Sequence, residues 1–178
     1  VASGLEGALR RILNSVNGES RTVLNVGFLE GSTYPDGTSV PMVAAIQEFG
    51  APKVGIPPRS YFRTMVARES PQWAPALGAL LRDSDYDVRR TLTQMGEHVR
   101  GQLQQSIADL RDPPLSPVTL MLRRMLKDDP DLVVTRGTVA EARARVAAGE
   151  DYSGVSTKPL VDTGYLLGSV DFELAKGD

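Results

Sequence analysis

Apolar residues recur every three or four positions from Val88 through Leu92, Met95, Val99, Leu103 and Ile107 to Leu110, while Arg89, Arg90, Glu97, Arg100 and Gln104 point elsewhere. That spacing is the period of an α-helix with one apolar stripe, and a stripe of this length needs another surface to cover it. The chain therefore has to build its core around one long amphipathic helix, ended by Asp112-Pro113-Pro114.

Ahead of it, Ser3 and Glu6 stand in capping-box spacing before Leu5, Leu9, Ile12, Leu13 and Val16, which predicts a first helix stopped by Asn17-Gly18. Residues 22–29 are β-branched and apolar, with Leu24, Val26 and Phe28 on one side, and read as a buried strand. Tyr34-Pro35-Asp36-Gly37 is a turn sequence. Ser39 is placed to cap a short helix with Pro41 in its first turn, Met42, Ile46 and Phe49 on its apolar face and Gly50 as its stop. The loop 51–60 is stiffened by Pro52, Pro57 and Pro58. Helical spacing resumes at Tyr61 through Phe62, Met65 and Val66, and Ser70-Pro71 reads as a second helix start leading to Trp73, Leu77, Leu80 and Leu81. Asp83-Ser84-Asp85 then separates this region from the long stripe.

Beyond the stripe, Ser116-Pro117 opens a helix to about Lys127, and Leu132-Val133-Val134 reads as a short strand. Thr138 and Glu141 repeat the capping-box spacing before Val139, Ala142 and Val146, with Gly149 as the stop and a loop from 150 to 158. Val170, Phe172 and Leu174 alternate with Asp171 and Glu173, the period of a strand with one wet face. The expectation is a single α+β domain over 1–178, with a small, mostly antiparallel sheet packed against several helices.

Composition narrows the function. With 41% hydrophobic and 24% charged residues in a chain of 178, collagen, coiled coil and wholesale disorder are excluded. A balance of 20 basic against 22 acidic residues gives a net charge of −2, so no general affinity for nucleic acid is written into the average composition. Cysteine is absent, which removes disulfides, thiolate nucleophiles and thiolate metal sites together. No run reaches the about 18 apolar residues of a membrane span, and Glu6, Arg10 and Arg11 interrupt what would be a signal peptide, so the expectation is a protein made and used without export. Sixteen of the 20 cations are arginine, which suits a self-associating surface and is equally what a GC-rich coding sequence produces.

No catalytic arrangement emerges, and the chain is not expected to be an enzyme or to hold a cofactor or metal. His98 is the one histidine and has neither a second His nor a carboxylate one turn away, so a surface or packing role is the default. Asp83, Asp85, Asp87 and the pair Asp128-Asp129 lie at helix boundaries, where carboxylates cap and offset the helix dipole. Arg123, Arg124 and Lys127, joined by Arg111 or Arg136, are the candidate nucleic-acid face, although a charged face is what any surface helix shows.

Three segments carry a resemblance. Residues 45–52 read Ala-Ile-Gln-Glu-Phe-Gly-Ala-Pro, residues 56–63 read Ile-Pro-Pro-Arg-Ser-Tyr-Phe-Arg, and residues 158–170 read Lys-Pro-Leu-Val-Asp-Thr-Gly-Tyr-Leu-Leu-Gly-Ser-Val. Together they resemble the signatures of the tail-completion and virion-morphogenesis proteins of tailed bacteriophages, and Pro114-Leu115-Ser116-Pro117 is similar to a segment that precedes the last of these in some members. The sequence departs from the pattern at Gln47, Ser60 and Gly168. The resemblance implies a virion structural protein of the head–tail junction, assembled in the host cytoplasm. It would form a cyclic ring of its own copies, a hexamer or dodecamer, joining the portal or adaptor to the tail tube or terminator and letting DNA pass. A minor tail or tail-terminator subunit, or a small nucleic-acid-binding phage protein, is the alternative.

The residues the resemblance marks are Glu48, Phe49, Gly50, Pro57, Pro58, Arg59, Tyr61, Phe62, Arg63, Asp162, Thr163 and Gly164. An ordered loop carrying arginine and aromatic side chains loses little entropy on docking, which suits a repeated subunit contact. Internal packing is the competing reading, and for Phe49, Leu160 and Leu166 the expected one. Asp162-Thr163-Gly164 is expected to cap a short helix that turns Leu166 and Leu167 inward.

Overall fold

A computed structural model describes Arg10, Leu13 and residues 22–177. The helix expected over 3–16 lies outside the described residues except at Arg10 and Leu13, both of which are helical.

Strands β1 (Thr22–Phe28) and β2 (Val170–Lys176), from opposite ends of the sequence, pair antiparallel from Thr22 opposite Lys176 to Phe28 opposite Val170. This register sets Leu24 against Leu174 and Val26 against Phe172, so one face of the ribbon is continuously apolar. β1 is half-buried rather than buried: Val23 and Asn25 face outward, because the sheet has two strands and a cover on one side. Two strands do not hold together alone in water; a helix has to complete the layer.

That helix is α3 (Val88–Asp109), which crosses both strands and buries Thr91, Met95, Val99, Leu103 and Ile107. Thr91 takes a deep place because its hydroxyl meets the Ser84 hydroxyl at 2.8 Å and donates to the Asp87 carbonyl at 2.7 Å, closing the preceding turn. The closest approach of helix to sheet is at Gly96, where a Cβ would stand 2.3 Å from Cδ2 and 2.7 Å from Cγ of Phe172. Gly→Ala inside a helix ordinarily stabilises by about 0.5–1 kcal/mol. Here the Phe172 ring cannot swing clear without leaving the core face, so Gly96→Ala is expected to destabilise by about 1–2 kcal/mol in urea unfolding.

Helix α1 (Val40–Phe49) is capped as expected, with Ser39 Oγ accepting from the Met42 N–H and Pro41 in the first turn, but it presents a different face. Val40, Ala44 and Glu48 are buried, whereas Met42 is 51% and Phe49 63% exposed. Glu48 decides the rotation, because its carboxylate has obligatory partners on the next helix.

The break expected at Ser70-Pro71 does not occur. Helix α2 (Tyr61–Asp83) runs for 23 residues with Pro71 and Pro75 inside it. Ala67, Pro71 and Pro75 all lie on the exposed side, where water takes the carbonyls that the prolines leave free. Packing against α3 carries the helix through, with Trp73 Nε1 donating to Gln102 Oε1 at 2.8 Å and Gln102 donating on to Glu69.

Helices α4 (Pro117–Asp128) and α5 (Arg136–Ala147) form a hairpin around their own small core of Met121, Met125 and Ala142. Ser116 caps α4. The expected strand at 132–134 is instead a link between α4 and α5 that pairs with neither β1 nor β2, with Val133 72% exposed. The capping box of α5 is Thr135 with Thr138, not Thr138 with Glu141; Glu141 is one turn further in and pairs with Arg145 at 2.6 Å. A short helix α6 (Tyr165–Gly168) sends Leu166 into the main core and leads to β2. Among the described residues, no helix is long and apolar enough to cross a membrane.

Candidate interaction site

The first two resembling segments are welded together by Glu48. Its carboxylate accepts from the backbone N–H of Phe62 at 2.9 Å and of Arg63 at 3.2 Å, and from Arg63 Nε at 2.8 Å. A helix start leaves its first N–H groups without intrahelical partners and carries partial positive charge. Ser60, at the cap position of α2, makes no side-chain cap, and a carboxylate from the end of α1 does the work instead. Arg63 then reaches Ser60 Oγ at 2.8 Å and lies 4.9 Å from the centre of the Phe49 ring. Phe49, expected inside, is thus an outward ring with a guanidinium over one face.

Gly50 makes the turn possible. Its φ of +76° is left-handed, and a Cβ there would meet the Pro58 nitrogen at 2.7 Å and the Ile56 carbonyl at 2.9 Å. The chain folds back so that Ala51 and Ile56 bridge and the Arg59 N–H donates to the Gln47 carbonyl at 2.8 Å. Pro57 and Pro58 remain exposed on this braced loop.

Arg59 does not reach out as a contact residue; it is buried, 5% exposed. Nη1 donates to Gln47 Oε1 at 3.0 Å and Nε to the Pro113 carbonyl at 3.4 Å. Tyr61 is buried as well, its hydroxyl donating to the Ala44 carbonyl at 3.1 Å, and burial pushes its phenol well above the ordinary tyrosine range. Phe62 is half-buried against the sheet side.

The third segment is gathered by Arg123 of α4. Its Nη1 donates to the carbonyls of Ser156 at 2.6 Å and Lys158 at 2.9 Å, Nη2 to that of Pro159 at 3.4 Å, and Nε lies 3.3 Å from Asp162. Arg124 reaches the Ser153 carbonyl and Asp128, and Lys127 the Gly154 carbonyl. The candidate nucleic-acid face is therefore a set of cations that fastens the loop 153–162 to the hairpin. Asp162 pairs with Arg123 and does not cap α6. The preceding Gly164, at φ +81°, occupies the cap position with no side-chain bond, while Thr163 Oγ1 accepts from the Tyr165 N–H at 3.3 Å. Leu160 and Leu166 are buried. Tyr165 stacks on Tyr34 at 4.8 Å, tying this segment to the turn that precedes α1.

Between the loop 51–60, the Pro114–Pro117 stretch and the Pro159–Asp162 stretch lies a cleft of about 770 Å³, with Gln47, Arg59, Leu115, Arg123 and Asp162 on its walls. All the resembling segments meet here. Burial lowers the pKa of both guanidinium groups from the ordinary arginine value; the nearby Arg123 lowers that of Arg59 further, while Asp162 raises that of Arg123. Sequence reasoning missed Gln47 and Arg123 as members of this cleft. A guanidinium that binds carbonyls more than 30 residues away has no local signature.

The remaining candidates have local duties. His98 Nε2 lies 3.1 Å from Gln102 Nε2, Asp87 accepts from the Arg90 N–H at 3.0 Å as the cap of α3, and Asp128 pairs with Arg124 at 2.8 Å. Among the described residues, no group of three or more histidine and carboxylate side chains is placed to hold a metal ion. No protein-family model matches the sequence, and no curated protein or solved structure matches it either.

Proposed function

We propose that this chain is a structural subunit of a tailed-phage particle, acting at the head–tail junction as one member of a ring around the DNA path. The observation that carries the reading is Phe49: a ring 63% exposed at the end of a helix, with the guanidinium of Arg63, itself paired with the buried Glu48, 4.9 Å from its centre. Met42, 51% exposed, lies on the same face of α1, and Val54, 73% exposed, on the braced loop that follows. Apolar side chains carried on a capped helix and a braced proline loop are suited to repeated docking, because their backbone has little conformational entropy left to lose when they are covered. The resemblance of the same segments to tail-completion proteins supplies the particle and the ring; heterologous contacts around one axis close such a ring.

The reading is tested by native mass measurement of the purified protein together with electron microscopy of intact particles. A closed ring in solution, or density between capsid and tail that fits this chain, is the expected result. A strict monomer absent from particles overturns the proposal. In the same assay, Phe49→Ala is expected to change stability by less than about 1 kcal/mol, since the ring is exposed, yet to remove the protein from particles.

A further inference from the structure

The cleft carries an imbalance of charge. Two guanidinium groups line it and one carboxylate, Asp162, faces Arg123. Arg59, although buried, has amide and carbonyl partners and no carboxylate within ion-pair distance among the described residues. A buried cation is costly unless a charge compensates it, and a planar guanidinium fork fits a carboxylate with two parallel hydrogen bonds. The cleft is open to solvent and large enough to admit a side chain.

We propose that the Arg59 side of this cleft is an anion-binding site that receives Asp83 from a second copy of this chain. The inference rests on the reading that copies associate. Most exposed carboxylates already have local work: Asp87 caps α3, Asp128 and Glu141 pair with Arg124 and Arg145, Asp36 and Asp151 accept from Thr38 and Ser153. Asp83 does not. It is exposed, makes no ion pair with a described residue, and closes α2 at the negative end of the helix dipole, where a carboxylate is disfavoured locally.

Position completes the case. Arg59 stands just before α2 and Asp83 is its last residue, so the two lie at opposite ends of a rod of 23 residues, roughly 34 Å apart at 1.5 Å per residue. A basic cleft at one end and a carboxylate at the other give a head-to-tail contact between copies, which repeats around a ring and leaves no copy with its cleft unfilled.

Because the chain has no cysteine, an introduced pair reports on this contact alone. Leu115→Cys on the wall of the cleft is combined with Arg82→Cys, an exposed position beside Asp83 that leaves the carboxylate in place; the two lie toward opposite ends of α2, and a disulfide needs Cα atoms within about 7 Å, so the pair reports on contacts between copies. Mild oxidation of the full-length double variant is expected to give a ladder of covalent oligomers that reduction collapses, with neither single variant giving more than dimers. A folded double variant that gives no ladder overturns the proposal. Asp83→Arg, at an exposed helix end, is the second arm: self-association is expected to weaken by at least about tenfold, and unchanged association overturns the proposal even if the double variant does not fold. Wild-type protein found in particles, while the folded double variant gives no ladder, would sink this contact and leave the functional reading intact. A ladder from a protein absent from particles would do the reverse.

Discussion

Arg123→Ala is expected to release the α4–α5 hairpin from the rest of the molecule. One guanidinium donates to three carbonyls of the loop 156–159 and faces Asp162, and its side chain is only 9% exposed. Truncation leaves those carbonyls and the carboxylate without their shared donor, and charged hydrogen bonds of this kind contribute about 1.5–3 kcal/mol each when lost singly. They share one group and do not add, so a loss of about 3–4 kcal/mol is expected. The location of the loss identifies its cause. The hairpin has its own core around Met121, Met125 and Ala142, so amide exchange is expected to accelerate in the loop 153–162 and at the hairpin's attachment, while α3 and the two strands keep their protection. Arg123→Lys should recover less than half of the stability, because a single ammonium cannot span the carbonyls that the planar fork bridges. Equal acceleration of exchange over the whole molecule would show that Arg123 has no local role.

Glu48→Ala is expected to have the second largest effect, at the start of α2. The mutation removes the acceptor of two backbone N–H groups and of Arg63 Nε in one step, in a place only 4% exposed, so water cannot freely replace it. The cost is about 3 kcal/mol, which lowers Tm by roughly 6–12 °C for a domain of this size. Glu48→Gln keeps an acceptor of the same length without the charge, and should lose about half as much. Scanning calorimetry of the two variants separates hydrogen bonding from helix-dipole compensation. The same change frees Arg63 and with it the support behind Phe49, so a variant that is folded at low temperature is still expected to assemble poorly. Equal stability of Glu48→Ala and wild type would show that the start of α2 does not depend on this carboxylate.

Much of the local structure was legible because its causes are local. Ser39 with Pro41, and Ser116 with Pro117, start helices through the one or two residues that follow them, and the alternation of Val170, Phe172 and Leu174 specifies a half-buried strand wherever its partner lies. The readings that failed involved competition between distant groups. Pro71 reads as a helix start, yet α2 continues because α3 holds it and its exposed side lets water take the freed carbonyls. Leu132-Val133-Val134 has the composition of a strand but pairs with neither strand of the sheet. Met42, Ile46 and Phe49 have the spacing of an inward face, but a buried carboxylate one position before Phe49 binds the next helix and turns Met42 and Phe49 outward, leaving Ile46 half-buried.

By itself the sequence determined most element types, the caps at Ser39 and Ser116 and the α+β class, since these follow from propensity, periodicity and hydrogen bonds spanning a few residues. Only the tertiary structure decided which of the signature side chains are buried and which are presented: Arg59 and Tyr61 inside, Phe49 outside, Arg123 fastening a loop more than 30 residues away. The physical reason is that burying a charged or polar group is favourable only where distant carbonyls and carboxylates converge on it, and that convergence is a property of the folded chain rather than of any segment.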